Sequence, residues 1–175
     1  MRKKLVLGCA TATIVLGGCA SMPSEQTVEC LQPNRRVEVE IGGIKEKPAP
    51  KPKPGAQPGK PGRDNVLTKT LVQGNSAWDF GAATLKPGGQ AELDKLVKML
   101  KEGAGRDKRP TQVNSIIIAG HTDRFEAENG PANLGNLRAQ TVAKYLGSRG
   151  LNSKLMFWED KGARMPIPVT KFCEN

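Results

Sequence analysis

The chain has 175 residues, with 27 Lys and Arg against 17 Asp and Glu, a formal charge of +10. That length fits one domain of ordinary size with room for a tail or linker, and an apolar share of 37% implies that a polar segment dilutes a normal domain. A single His and four Cys argue against zinc-finger and metalloprotease classes, which need three or four spaced ligands; no metal and no cofactor are expected. No long apolar run follows the N-terminus, which argues against a bundle of membrane-spanning helices.

Arg2, Lys3 and Lys4 precede an apolar stretch from Leu5 to Leu16. It is too short to span a bilayer comfortably and reads as the hydrophobic part of a secretory signal over residues 1–18. It ends in Leu16-Gly17-Gly18-Cys19, which resembles a bacterial lipobox. The resemblance implies cleavage before Cys19, a diacylglycerol on its thiol and an acyl chain such as palmitate on the new amine. Two or three chains make a stable anchor, at roughly 0.8 kcal/mol per buried CH₂. Ala20 follows instead of Asp, which by resemblance to the lipoprotein sorting rule favours the outer membrane, with the body facing the periplasm. The alternative is an ordinary secretory signal with an incidental cysteine.

Cys9 leaves with the signal, and Cys30 and Cys173 remain as an even pair in an oxidising compartment. A disulfide between them is expected; two free buried thiols are the alternative. Residues 19–27 form a lipidated N-terminus and short tether.

Val37, Val39 and Ile41 alternate with Glu38 and Glu40, the pattern of a half-buried strand ended by Gly42-Gly43. Residues 44–65 are rich in Pro and Lys and lack any apolar period, the mark of a solvated, polyproline-like linker with a reach of about 60 Å. Residues 66–72 and 76–80 look extended. After Pro87, Leu93, Leu96, Val97 and Leu100 follow helical spacing and Gly103 stops the helix. Ile116-Ile117-Ile118-Ala119 is an apolar, β-branched run that predicts a central buried strand. A second helix is predicted from about Asn133 to Ser148, with Leu134, Leu137, Val142, Tyr145 and Leu146 inward and Gly150 as its cap. Residues 154–159 make a last strand. The alternation predicts an α/β class chain, an α+β sandwich with helices packed on one sheet.

The segment from Ile116 to Leu146 contains Gly120-His121-Thr122-Asp123, a loop, and then Leu134, Arg138 and Ala139 in the spacing L-x-x-x-R-A. It resembles the OmpA-like peptidoglycan-binding domain family. Residues 78–96 resemble that family's first strand and helix, and the match extends from about residue 66 to 168. The resemblance implies a βαβαβ domain with its helices on one mixed sheet. A further match is out of order: residues 28–43 resemble the family's last strand, and Pro168 to Asn175 resembles the segment that normally precedes it. In OmpA these two pieces carry a disulfide, which agrees with Cys30 and Cys173. A circularly permuted domain is therefore expected, made of residues 28–43 and 66–175 joined by the linker. A stray strand outside the domain is the alternative.

The family's ligand is the diaminopimelate stem peptide of peptidoglycan, whose free end sets an ammonium beside a carboxylate. By the resemblance, Asp123 matches the position that binds the ammonium and Arg138 the one that binds the carboxylate, a task suited to a planar bidentate cation. Thr122, Leu134 and Asp79 match positions lining the same groove, and Asn133 is a candidate replacement for a family amide. His121 is expected to be a fold residue. An Asp123–Arg138 ion pair of structural duty is the alternative. The chain departs from the family at Glu126, where Gly is common, at Pro131, where Asn is common, and at Gly135, where a small hydroxyl is common. Glu126 and Glu128 add negative charge near the Arg.

The resemblance implies a non-catalytic lipoprotein that tethers the outer membrane to the cell wall. The alternative is an envelope scaffold or secretion-system component that binds a protein partner through the same fold. No nucleophile–base pair is visible, so no enzyme is expected, and no basic stripe bearing aromatics points to nucleic acid.

Overall fold

A computed structural model of the chain describes residues 25–47, 63–103 and 105–169. The signal segment, Cys19, Cys173 and most of the Pro/Lys linker lie outside the described residues.

The described residues open with a short helix, α1 (Glu25–Cys30), which straddles the expected tether over 19–27 and the start of the strand expected over 28–43. A single 3-10 turn at Gln32–Asn34 then feeds β1 (Arg36–Glu46). Val37, Val39 and Ile41 of β1 are 0–1% exposed, as their alternation with glutamates requires. Gly42-Gly43 does not end the strand. The chain runs through the pair with a register shift against its neighbour, because a residue without a side chain is accommodated at a bulge without breaking the ladder.

β2 (Arg63–Gln73) extends the predicted 66–72 strand at its N-terminal end. Residues 76–80 are not extended. Gly74 takes φ 73° and its carbonyl accepts from the N–H groups of Ala77 and Trp78 at 3.0 and 2.9 Å. Gly-Asn-Ser is turn chemistry, and it overrides the local apolar pattern. Trp78 is pinned inside this turn, fully buried, with its indole N–H donating to the Val72 carbonyl at 3.0 Å. The polar edge of the ring is thereby satisfied while its body fills the core.

α2 (Pro87–Glu102) begins with Pro in its first turn and ends at Gly103 with φ 79°, the asymmetry expected of helix termini. Leu93, Leu96, Val97 and Leu100 are buried as their spacing predicts. β3 (Gln112–His121) follows. Ile116 and Ile118 point into the core, but Ile117 is 44% exposed. The apolar run predicted burial on both faces; β3 is central yet helices cover only one side of it.

After a short helix, α3 (Arg124–Asn129), α4 (Leu134–Ser148) buries Leu134, Gly135, Arg138, Ala139, Val142, Ala143 and Leu146. Leu137, expected inward, is 43% exposed. The inward stripe is carried instead by small residues at 135, 139 and 143, which let α4 lie close to the sheet. β4 (Met156–Gly162) closes the sheet two residues later than predicted.

The sheet order is β2-β1-β3-β4. β1 is antiparallel to both β2 and β3, and β3 is parallel to β4. One core cluster joins Val37, Val39, Ile41, Ile116 and Ile118 of the sheet to the inward faces of α2 and α4. Each such side chain contributes about 1.5–3 kcal/mol when fully buried. After β4 the chain returns to the start of β1. The Ile167 N–H donates to the Asn34 side-chain oxygen at 2.6 Å, and the Arg36 guanidinium donates to the Met165 carbonyl at 3.0 Å.

Candidate functional site

The site lies where β3 ends and α3 and α4 begin. Gly120, next to last in β3, touches the first turn of α4. A Cβ there would collide with the Gly135 backbone carbonyl. This contact brings the start of α4 onto the strand end and sets Arg138, one turn further, beneath it.

Asp123 caps α3. Its Oδ1 accepts from the Glu126 N–H at 2.8 Å, and Oε2 of Glu126 accepts from the Asp123 N–H at 3.2 Å. This is a reciprocal capping box, written in the sequence as Asp123-x-x-Glu126. It turns a segment expected to be a loop into a helix and buries Glu126 to 1% exposure.

Asp123 and Arg138 are both inside the site, at 1% and 0% exposure, but each is ion-paired to a different residue. Arg35 donates to Oδ2 of Asp123 at 2.9 Å. The same guanidinium donates to the Val28 carbonyl at 2.8 Å and to the Asn75 side chain. Burial pushes the Asp123 carboxyl above its ordinary pKa, and the Glu126 N–H and Arg35 pull it partly back.

Arg138 is held by Glu126. Its Nη2 donates to Oε1 at 2.6 Å and its Nη1 to Oε2 at 2.8 Å, a bidentate fork with both side chains at 0% exposure. Its remaining N–H groups donate to the backbone carbonyls of Ala82 at 2.9 Å, His121 at 3.2 Å and Asp79 at 3.2 Å. A guanidinium has five N–H donors, and all of them are used here. Its plane also lies against Trp78, 5.5 Å from the ring centroid.

Two cavities open beside these groups. One, of about 350 Å³, is lined by Leu31, Asn34, Thr122, Asp123 and the returning segment around Ile167. The Thr122 hydroxyl is buried and has no hydrogen-bond partner among the described residues. The other, of about 190 Å³, is lined by Thr122, Glu126, Asn133, Leu134, Gly135 and Asp160.

Of the residues predicted from sequence, Thr122, Asp123, Leu134 and Arg138 come together. Asn133 lines the smaller cavity in a left-handed conformation, with φ 61°, and its side chain does not cap α4. Asp79 contributes its backbone carbonyl to Arg138, whereas its carboxylate turns to solvent and pairs with Lys86 at 2.6 Å. His121 is buried at 2% exposure, and neither ring nitrogen is hydrogen-bonded among the described residues. Burial and the nearby Arg36 cation lower its pKa to about 4. The sequence reading did not find Arg35 as the partner of Asp123 or Glu126 as the partner of Arg138. The capping box was the available signal for Glu126; nothing local marks Arg35, whose partner is distant in the chain.

The family model described as the OmpA family matches residues 77–172, more than half of the chain. The chain belongs to the OmpA family. Among curated proteins it is similar to Outer membrane protein A of Bordetella avium, 29% identical over 131 residues that make up 75% of this chain and 56% of that protein. It is 32% identical over 111 residues, 63% of this chain, to Outer membrane protein A of Klebsiella aerogenes, covering 30% of that protein. The chain thus spans about half or less of the length of these relatives. Among solved structures it is similar to the OmpA-like domain of FopA1 from Francisella tularensis subsp. tularensis SCHU S4, with 21% identity, a TM-score of 0.39, and coverage of 54% of this chain and 58% of that one.

Proposed function

We propose that this chain is a non-catalytic envelope lipoprotein that binds peptidoglycan through the site at the end of β3. Family membership supports wall binding in general. The observation that carries the placement is the larger cavity, where a buried, unpartnered Thr122 hydroxyl stands beside the Asp123 carboxylate. Buried hydroxyls are nearly always hydrogen-bonded, so the Thr122 hydroxyl is suited to taking a polar partner in this cavity. In this reading Asp123 and Thr122 receive the ammonium of a diaminopimelate-type stem peptide, and Arg138 receives its carboxylate once Glu126 has left it. Leu134, Asn133 and the backbone of Asp79 shape the walls.

The relatives are outer membrane proteins by name, which supports an outer-membrane location for this chain. We place its anchor at Cys19 and its body in the periplasm. We also propose a permuted domain, with β1 taking the place of the family's last strand. Its central position between β2 and β3, and the return of residues 165–167 to its first residues, support this. Cys30 is disulfide-bonded, which supports a bridge to Cys173.

The test is co-sedimentation of the full-length chain, in mild detergent, with purified sacculi. Retention of the wild type and loss on an Asp123→Asn variant that circular dichroism shows to be folded supports the wall site. A folded wild type that stays in solution overturns it and favours a protein partner for the same fold.

A further inference from the structure

We infer that Glu126 is a built-in carboxylate competitor on Arg138, and that it sets the affinity of this site for carboxylate ligands. The inference rests on the wall-binding reading for the identity of the natural ligand, but its chemistry stands on the geometry alone.

The carboxylate of Glu126 is the acceptor for four N–H groups that converge from three parts of the chain. Two come from Arg138, at 2.6 and 2.8 Å. The others are the backbone N–H of Gly81 at 2.8 Å and of Asp123 at 3.2 Å. A carboxylate offers about four lone-pair sites, so the fit is saturated on both sides. A carboxylate arriving from solution finds no free donor on Arg138, since the other three N–H groups are bound to backbone carbonyls. It gains Arg138 only by displacing Glu126.

Glu126 is also a formidable competitor. It is tethered through the capping box to Asp123, so its effective concentration at Arg138 is fixed and high. The apparent affinity of any outside carboxylate falls by the fraction of time that Glu126 is away. Glu126 is one of the residues that line the 190 Å³ cavity, and its side chain, at 0% exposure, fills the space next to the guanidinium. Shortening it to Gly extends that cavity up to the guanidinium and leaves the four donors aimed at an empty, reachable pocket. Such a pocket is an anion hole of the size and geometry of one carboxylate.

The experiment measures free meso-diaminopimelate and acetate against the full-length chain, wild type and Glu126→Gly, by calorimetric titration and by thermal unfolding. The expected result is at least a tenfold tighter meso-diaminopimelate complex for Glu126→Gly. Acetate should raise the melting temperature of the variant and leave that of the wild type unchanged, because only the variant has a site to fill. The variant leaves a buried cation unpaired, so Glu126→Gln is measured alongside it. The amide keeps the shape but replaces one acceptor with a donor that faces the guanidinium, and it too should gain affinity for carboxylate. Equal affinities in wild type and folded variants overturn the inference. So does failure of saturating acetate to restore folding to Glu126→Gly or to stabilise Glu126→Gln. Sacculus binding by wild type is scored separately: its absence defeats the wall reading and leaves the acetate result to decide the role of Glu126.

Discussion

Arg35 donates to Asp123 at 2.9 Å with 0% and 1% of the two side chains exposed, across 88 positions of sequence. This bond fastens the entry of β1 to the start of α3. It therefore makes the N-terminal strand a part of the site as well as of the sheet. Breaking a buried pair from one side leaves the other charge without compensation, which costs about 3–5 kcal/mol. Arg35→Ala should destabilise the fold by that order, read as a lower urea midpoint. Adding Asp123→Ala should restore part of the loss, since the double variant holds no unpaired buried charge. Simple additivity of the two substitutions would show that the pair is not coupled.

Arg138 yields a different expectation from a residue waiting for ligand. With every donor occupied and no exposed surface, it is a structural node as well as a candidate ligand group. Arg138→Ala should cost about 3–5 kcal/mol for the same reason, with its effect measured by denaturation before any binding assay is interpreted. Arg138→Lys keeps the charge but loses the fork and most of the backbone contacts. A Lys variant as stable as wild type would mean that charge alone, and not the planar geometry, holds Glu126 and the carbonyls around it.

How far the site was legible follows from where its partners lie in the chain. Asp123 and Arg138 belong to one local motif, and helical spacing found the inward residues of α2 because an amphipathic helix encodes its own burial. Leu137 misled for the converse reason: α4 approaches the sheet through glycine and alanine, and hydrophobicity does not rank such positions as core. In sequence Glu126 is only negative charge near the Arg; its place on the Arg follows from the capping box with Asp123. Arg35 had no local signal at all, because its meaning comes from the strand order. The turn at Gly74 was written in Gly-Asn-Ser and was outweighed by the apolar residues after it.

His121 gives a pH dependence of defined sign. Its pKa falls from the ordinary 6.5 to about 4 in the folded chain through burial, with Arg36 adding repulsion. Above pH 6.5 it is neutral in both states and contributes nothing. Between about pH 6.5 and 4 the unfolded chain takes up a proton that the folded one refuses, so stability falls as the solution is acidified and levels off below the folded pKa. The full effect is about 3 kcal/mol at 1.36 kcal/mol per pKa unit. Asp123, whose pKa is raised by burial, works in the opposite sense in the carboxylate range, so wild type should be compared with His121→Asn. The unfolding free energy of wild type minus that of His121→Asn should rise by about 3 kcal/mol as pH rises from 4 to 7, as the wild-type penalty is lost. A difference that does not change with pH would remove His121 as the source.

The proposed permutation makes a prediction about connectivity. β1 lies between β2 and β3, and residues 165 and 167 bond to Arg36 and Asn34 at its entry. Residues 165–167 and the start of β1 are thus neighbours in space, and at the other end of the β1–β2 pair Glu46 faces Arg63, the two strand ends that the linker joins in sequence. Joining the two ends and opening the linker should preserve every strand pairing, since permutation is tolerated where the joined termini are close and the new ones lie in a polar connection. A chain running from residue 63 to 175, then directly into Val28 and on to Glu46, should fold with a similar melting temperature and a similar affinity for sacculi or diaminopimelate. The Arg35–Asp123 pair offers an internal check, because Arg35→Ala should cost the rearranged chain as much as the original. If the rearranged chain folds but Arg35→Ala has become harmless, β1 has docked elsewhere and its present central place depends on the linker. If it does not fold at all while the original does, the linker has a role in assembling the sheet that its solvated composition does not suggest.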